Sequence, residues 1–108
     1  MAKKRTLIVL FNLRPGQDAA AYEKWAREVD IPIAGGMKSV DEFKVYRAEG
    51  VMGSDAKPPY KYFEILHIND IDGLGKDIGA EPRMKDVAAK FQSFADNPTF
   101  IVTEQIAG

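Results

Sequence analysis

One carboxylate stands where a carboxylate is costly. Glu64 lies in the middle of the stretch Tyr60 to Ile68, in which five of nine residues are aromatic or β-branched, the composition of a strand. Alternation puts Tyr60, Tyr62, Glu64, Leu66 and Ile68 on one face, and Lys61, Phe63, Ile65 and His67 on the other. Neither face is polar throughout, so both are expected to be covered, with Glu64 inside. A buried carboxyl without a cation keeps its proton to higher pH, which suits a general acid or base near neutrality. The competing expectation is a structural carboxylate tied to a lysine or arginine, with Arg47 a possible partner of Glu64 or Glu104. Tyr62, two residues away on the same face, can hold the carboxylate or donate to an oxyanion. His67 is the single histidine of the chain, and imidazole is the side chain that ordinarily titrates near neutral pH. It can shuttle a proton, although a strand-end histidine is also ordinary surface. Glu64, His67 and Tyr62 are therefore the catalytic candidates.

A second group has the chemistry of ligand binding. Tyr22 and Trp25 are three apart in a helical pattern and share a side of it. They can line a pocket for a flat aromatic ligand, the indole stacking and the phenol donating a hydrogen bond, or simply pack in the core. Asn12 and Glu104 are isolated polar residues on otherwise apolar strands. Each is a candidate substrate contact, or the two satisfy one another across neighbouring strands.

Much chemistry is excluded. The chain has no cysteine, which removes disulfides, thiol catalysis and cysteine metal sites. One histidine cannot build a multi-histidine centre, and no carboxylate cluster has ligand spacing, so neither a metal nor a cofactor is expected. Gly35-Gly36 and Gly73-Leu74-Gly75 lack the lysine and the strand–loop–helix spacing of a phosphate loop. The 108 residues carry 15 basic and 16 acidic side chains, net charge −1, with no basic face for nucleic acid. Lys3-Lys4-Arg5 is expected to be solvated and to blunt a sheet edge. The apolar run Leu7 to Leu13 is too short to span a membrane and precedes no small-residue cleavage site. A soluble, cytoplasmic protein of one domain covering residues 1–108 is expected, long enough to bury a core.

These residues need elements to position them. The continuous apolar run at 6–13 reads as a central strand ended by Arg14-Pro15-Gly16. Asp18 caps a helix whose apolar positions are Ala21, Tyr22, Trp25, Ala26 and Val29. That helix should stop near Asp30, because Pro32 disfavours a helical residue before it. Glu42 to Ala48 reads as the second strand, followed by a long Gly/Pro-rich loop at 49–59 that is expected to cover something. After the third strand, a short helix at 71–77 is weakened by Gly73, Gly75 and Gly79. Pro82 opens a longer helix with the stripe Met84, Val87, Ala88, Phe91 and Phe94, closed by Asp96-Asn97-Pro98. Thr99 to Ile106 is the last strand.

The order βαββαβ is the ferredoxin-like pattern. It gives an α+β fold, a four-stranded antiparallel sheet with two main helices on one face. The other sheet face would be bare yet apolar, and such a face is an interaction site. A homodimer joined sheet to sheet is expected.

The sequence also resembles a known family. Phe11-Asn12-Leu13-Arg14-Pro15-Gly16, Tyr22-Glu23-Lys24-Trp25, Val45-Tyr46-Arg47, Pro58-Pro59-Tyr60-Lys61-Tyr62-Phe63-Glu64-Ile65 and Phe94-Ala95-Asp96, in that order, are similar to the RedY-like (HapK) family of the dimeric α+β barrel superfamily. No one piece is specific; their order and spacing over nearly the whole chain carry the resemblance. It implies a homodimer and a pocket for a small hydrophobic or aromatic ligand, between helices and sheet or near the dimer seam. It further implies cofactor-free cyclisation or isomerisation of a conjugated aromatic metabolite. The alternatives are a protein that binds or stabilises such a metabolite without chemistry, and a cofactor-free monooxygenase of the same superfamily.

Overall fold

The apolar run at the start becomes an interior strand because both of its edges find partners. In the computed structural model, which describes residues 2–108, β1 (Arg5–Leu13) lies between β3 (Tyr62–Ile68) and β4 (Ala95–Thr103), with β2 (Val40–Arg47) outside β3. The order β2-β3-β1-β4 is antiparallel at every pairing and is ferredoxin-like. The basic cluster before β1 therefore blunts no edge.

Helices cover one sheet face. The first helical stretch is α1 (Ala19–Trp25), a π-turn (Ala26–Asp30) and α2 (Ile31–Ala34); α3 (Ile71–Ala80) and α4 (Met84–Phe94) follow β3. Register puts Val9 opposite Glu64 and Phe11 opposite Tyr62, and all four are buried beneath the helices. Phe11 is the hub of the core. It stacks on Tyr62 at 5.5 Å and meets Tyr22 and Phe91 edge-on at 5.4 and 5.0 Å. Such pairs add about 0.5–1.5 kcal/mol each beyond burial alone.

The opposite face has no helix over it. Ile8, Leu10, Phe63 and Ile65 are only partly buried there, and Tyr46 and Ile101 remain 51% and 45% exposed. The residues expected to need a cover are thus the ones that lack it within one chain.

Several boundaries differ from the sequence reading. The second strand is Val40–Arg47 rather than Glu42 to Ala48, and the long helix starts at Met84 rather than Pro82. Four more differ for a local reason. The first helix does not stop at Asp30. Ile31 donates its N–H to the Ala26 carbonyl, five residues back, and the wider turn lets the chain pass into Pro32 while staying helical. The helix expected at 71–77 reaches Ala80, because the Asp70 side chain caps it by accepting from the Gly73 N–H at 3.1 Å. Glycine at position 73 leaves room for that cap: an added Cβ would lie 2.5 Å from Asp70 Oδ2, so the carboxylate would have to shift. The last strand starts at Ala95 and ends at Thr103, since β1 offers no partner beyond Arg5. It absorbs Pro98 beside a register shift and a left-handed Asn97 (φ 45°), as an edge strand can. Finally, β3 starts at Tyr62, because the Asn12 side chain replaces the ladder before it. Asn12 Oδ1 accepts from the Lys61 N–H at 2.9 Å, and its Nδ2 donates to the Pro59 carbonyl at 3.1 Å. Asp18 stands at the N-cap of α1 but makes no side-chain cap bond. The loop at 49–59 lies mostly exposed.

Candidate functional site

The helix-covered face of β3 carries Tyr62, Glu64, Leu66 and Ile68 inward. Glu64 is 4% exposed. The Tyr22 hydroxyl, from α1, donates to its Oε2 at 3.1 Å. No lysine or arginine pairs with it among the described residues. Burial first, and the nearby Asp30 second, push the Glu64 carboxyl up from its ordinary 4.5 to about 8, against a smaller downward pull from the Tyr22 hydrogen bond. Burial and the Glu64 charge push the Tyr22 phenol up as well, so it stays a hydrogen-bond donor at any ordinary pH.

Glu64 reaches a cavity of about 220 Å³ between helices and sheet. Its walls are apolar: Leu7, Val9 and Phe43 from the sheet, Leu74 from α3, Met84 and Phe91 from α4. The one other ionisable residue on its wall is Asp30, at the end of the π-turn, 5% exposed. Burial raises its carboxyl from an ordinary 3.8 to about 7. Asp30 was missed in the sequence, where it read as a helix end. Its signal was there: Tyr22, Ala26 and Asp30 recur every four residues, and all three are buried.

A second, smaller recess of about 110 Å³ is lined by Glu23, Arg27, Arg47 and Tyr62 together with Ala26, Ile31 and Val45. Here the Tyr62 hydroxyl donates to Glu23 Oε2 at 2.7 Å, and Arg47 reaches both Glu23 oxygens at 2.6 and 2.7 Å. The expected Tyr62–Glu64 pair is therefore absent. Both side chains point to the helices, but the longer phenol of Tyr62 passes Glu64 and ends on Glu23. Arg47, a possible partner of Glu64 or Glu104, is instead bound to Glu23.

The remaining candidates lie elsewhere. His67 is exposed on the opposite sheet face, its Nδ1 3.3 Å from Thr6 Oγ1, and the thickness of the sheet separates it from Glu64. Odd-numbered positions of β3 face away from the helices, and that parity removes it from the pocket. Trp25 packs on Tyr22 and Phe94 at 6.2 and 5.7 Å, outside the cavity wall. Tyr22 is fully buried, its ring in the core and only its hydroxyl at the site. Asn12 and Glu104 do not satisfy one another. Asn12 holds the 59–61 segment, and Glu104, its side chain 66% exposed, lies 3.6 Å from Arg5. Among the described residues no group of three or more histidine, cysteine or acidic side chains is arranged to hold a metal ion, and no helix is long and apolar enough to cross a membrane.

A four-stranded antiparallel βαββαβ sheet with a pocket under its helices and a bare opposite face defines a ferredoxin-like α+β protein. Solved structures of that class superpose closely. HapK from Hahella chejuensis is 26% identical, with a TM-score of 0.75 over 96% of this chain and 94% of that one. A variant of SnoaB, a cofactor-independent oxygenase from Streptomyces nogalater, is 15% identical, with a TM-score of 0.75 over 99% and 97%. A DABB family protein with a ferredoxin-like fold from Mesorhizobium loti is 15% identical, with a TM-score of 0.67 over 96% and 98%. The last two share the fold alone. Among curated proteins none matches the chain in sequence. The family model described as REDY-like protein HapK matches residues 5–106, and the chain belongs to that family.

Proposed function

We propose that the protein is a cofactor-independent, cyclase- or isomerase-like enzyme that moves a proton on a conjugated aromatic substrate, with Glu64 as the acid–base group. The observation that carries this reading is a buried carboxyl with no cationic partner, opening into an apolar cavity. A Glu64 held partly neutral near pH 7 can donate its proton to one atom of a conjugated system. As carboxylate it can then recover a proton from another, so the substrate rearranges without net gain or loss of protons. Tyr22 acts as a positioning residue, fixing the carboxyl through its hydroxyl, rather than as a stacking surface. Tyr62, His67, Trp25, Asn12 and Glu104 take no part in this reading, because none of them faces the cavity.

The functional form in this reading is a homodimer that covers Ile8, Leu10, Phe63, Ile65 and Ile101 with the same face of a second copy. Oxygenation without a cofactor is chemistry that SnoaB carries out on the same fold.

The test is turnover of conjugated aromatic candidates in deuterated buffer, followed by mass spectrometry. Glu64→Gln should fold normally and lose roughly 10²–10⁴ of the rate, the usual share of a general acid–base group. Full turnover by Glu64→Gln overturns the assignment. Binding without any product, over many equivalents of ligand, would instead mark a stabilising protein, and oxygen uptake with quinols a monooxygenase.

A further inference from the structure

We propose that Asp30 and Glu64 together form a two-carboxyl site for an organic cation, an aromatic ring carrying an ammonium or amidinium group, bound inside the apolar cavity. This rests on the reading of that cavity as the functional site, and it adds a second residue and a ligand charge to it.

Three observations converge. Asp30 is buried on the cavity wall, and among the described residues it makes no side-chain hydrogen bond and no ion pair. A largely buried carboxyl without a partner is costly, and Asp30 lines the cavity. Glu64, on the same wall, has one partner, the neutral Tyr22 hydroxyl. No lysine, arginine or histidine from any of the elements around the cavity faces either carboxyl. Two carboxylates in apolar surroundings cannot both ionise without a counter-charge, so the empty site retains protons that an entering cation can replace.

The ligand class follows from the walls. A metal ion would want more oxygen donors than two carboxyls, and no further acidic or histidine ligand stands with them. Beyond the pair the walls are hydrocarbon and aromatic except for Gln92, a neutral amide. An apolar cavity of roughly 150 Å³ is known to accept benzene, and this one, at about 220 Å³, has room for a ring and a small polar head. Asp30 reaches the wall through the π-turn, a distortion that recurs at functional sites.

The experiment is calorimetric titration of the intact protein with benzamidine and with benzamide, its neutral counterpart of the same shape. It is run in two buffers of different ionisation heat, from about pH 6 to about pH 8.5. Benzamidine should bind at least about tenfold tighter than benzamide and release up to about one proton on binding. Asp30→Asn and Glu64→Gln should each weaken benzamidine by roughly thirtyfold or more. Equal binding of the two compounds, or no binding of benzamidine, overturns the proposal with the unmodified protein alone, whatever the variants do. If Glu64→Gln abolishes binding while Asp30→Asn has no effect, the two-carboxyl site falls and the Glu64 reading stands. If benzamidine binds and neither variant matters, the two-carboxyl site falls, and the Glu64 reading is decided by the turnover of Glu64→Gln.

Discussion

Two tyrosine–glutamate hydrogen bonds join the first helix to β3, and they run in opposite directions. Tyr22 of the helix donates to Glu64 of the strand; Tyr62 of the strand donates to Glu23 of the helix. The side-chain types are the same, and the bond to Glu23 is the shorter, 2.7 Å against 3.1 Å. The carboxyls nonetheless behave oppositely. Glu23 accepts from Tyr62 and from Arg47, with Arg27 3.5 Å away, and these hold it below the usual carboxylate range. Glu64 has no cation and sits in hydrocarbon, so burial pushes it up to about 8. A tyrosine hydrogen bond pulls both carboxyls down. It prevails at Glu23, where an arginine adds to it and burial is slight, and burial outweighs it at Glu64.

The contrast can be broken most visibly with pH. Glu64 and Asp30 have folded-state pKa values above their ordinary 4.5 and 3.8, so the folded chain keeps protons that the unfolded chain releases. Their contribution to stability is complete below about pH 4 and is lost as pH rises through about 7 and about 8. Glu23, with a lowered pKa, contributes in the other sense, losing its share only as pH falls below the ordinary carboxylate range. Urea unfolding at a series of pH values should show the decline, and Glu64→Gln should flatten part of it, leaving the share of Asp30. An unchanged slope in that variant would remove Glu64 from the account.

Tyr22→Phe separates the two pairs next. It keeps the ring packed on Phe11 and Phe94 but deletes the donor to Glu64. The expected cost is about 1–2 kcal/mol in urea unfolding. The Glu64 carboxyl should titrate still higher by carbon-13 NMR, because its one charge-stabilising bond is gone. A downward shift would contradict the assigned geometry.

Arg47→Met gives the smallest effect. Arg47 is about half exposed, and exposed ion pairs add little to stability. The unfolding midpoint should barely move, while the Glu23 titration rises towards the ordinary carboxylate range. A large loss of stability would mean that the outer pair is as structural as the inner one.

The same two pairs show what could be read from the sequence. Alternation in β3 located Glu64 in the core, and the order of elements gave the sheet and its helix-covered face. Alternation could not say which parity faced the helices, so His67 stood as a candidate beside Glu64 until the fold separated them. Tyr62 was assigned to Glu64 because they share a face two residues apart, but reach along a helix–strand contact is set by packing distance. Asp30 was lost to a sound rule about residues before proline. The π-turn evades that rule by changing the hydrogen-bond register before Pro32. Asn12 looked like a site residue because it was polar among apolar neighbours; it is a main-chain mimic that locks the 59–61 segment.

The π-turn has a genetic consequence. A turn with i to i−5 bonding is an ordinary helical turn with one residue too many, so losing a single codon between Ala26 and Asp30 would let the helix close in ordinary α-register. Tyr22 and Glu23 would then rotate by roughly 100° relative to Pro32 and everything after it. Tyr22 could no longer meet Glu64 while Asp30 kept its place on the wall. A one-residue deletion, without altering any residue of the site, would uncouple its parts, whereas many substitutions along the outer side of that helix would leave them in register.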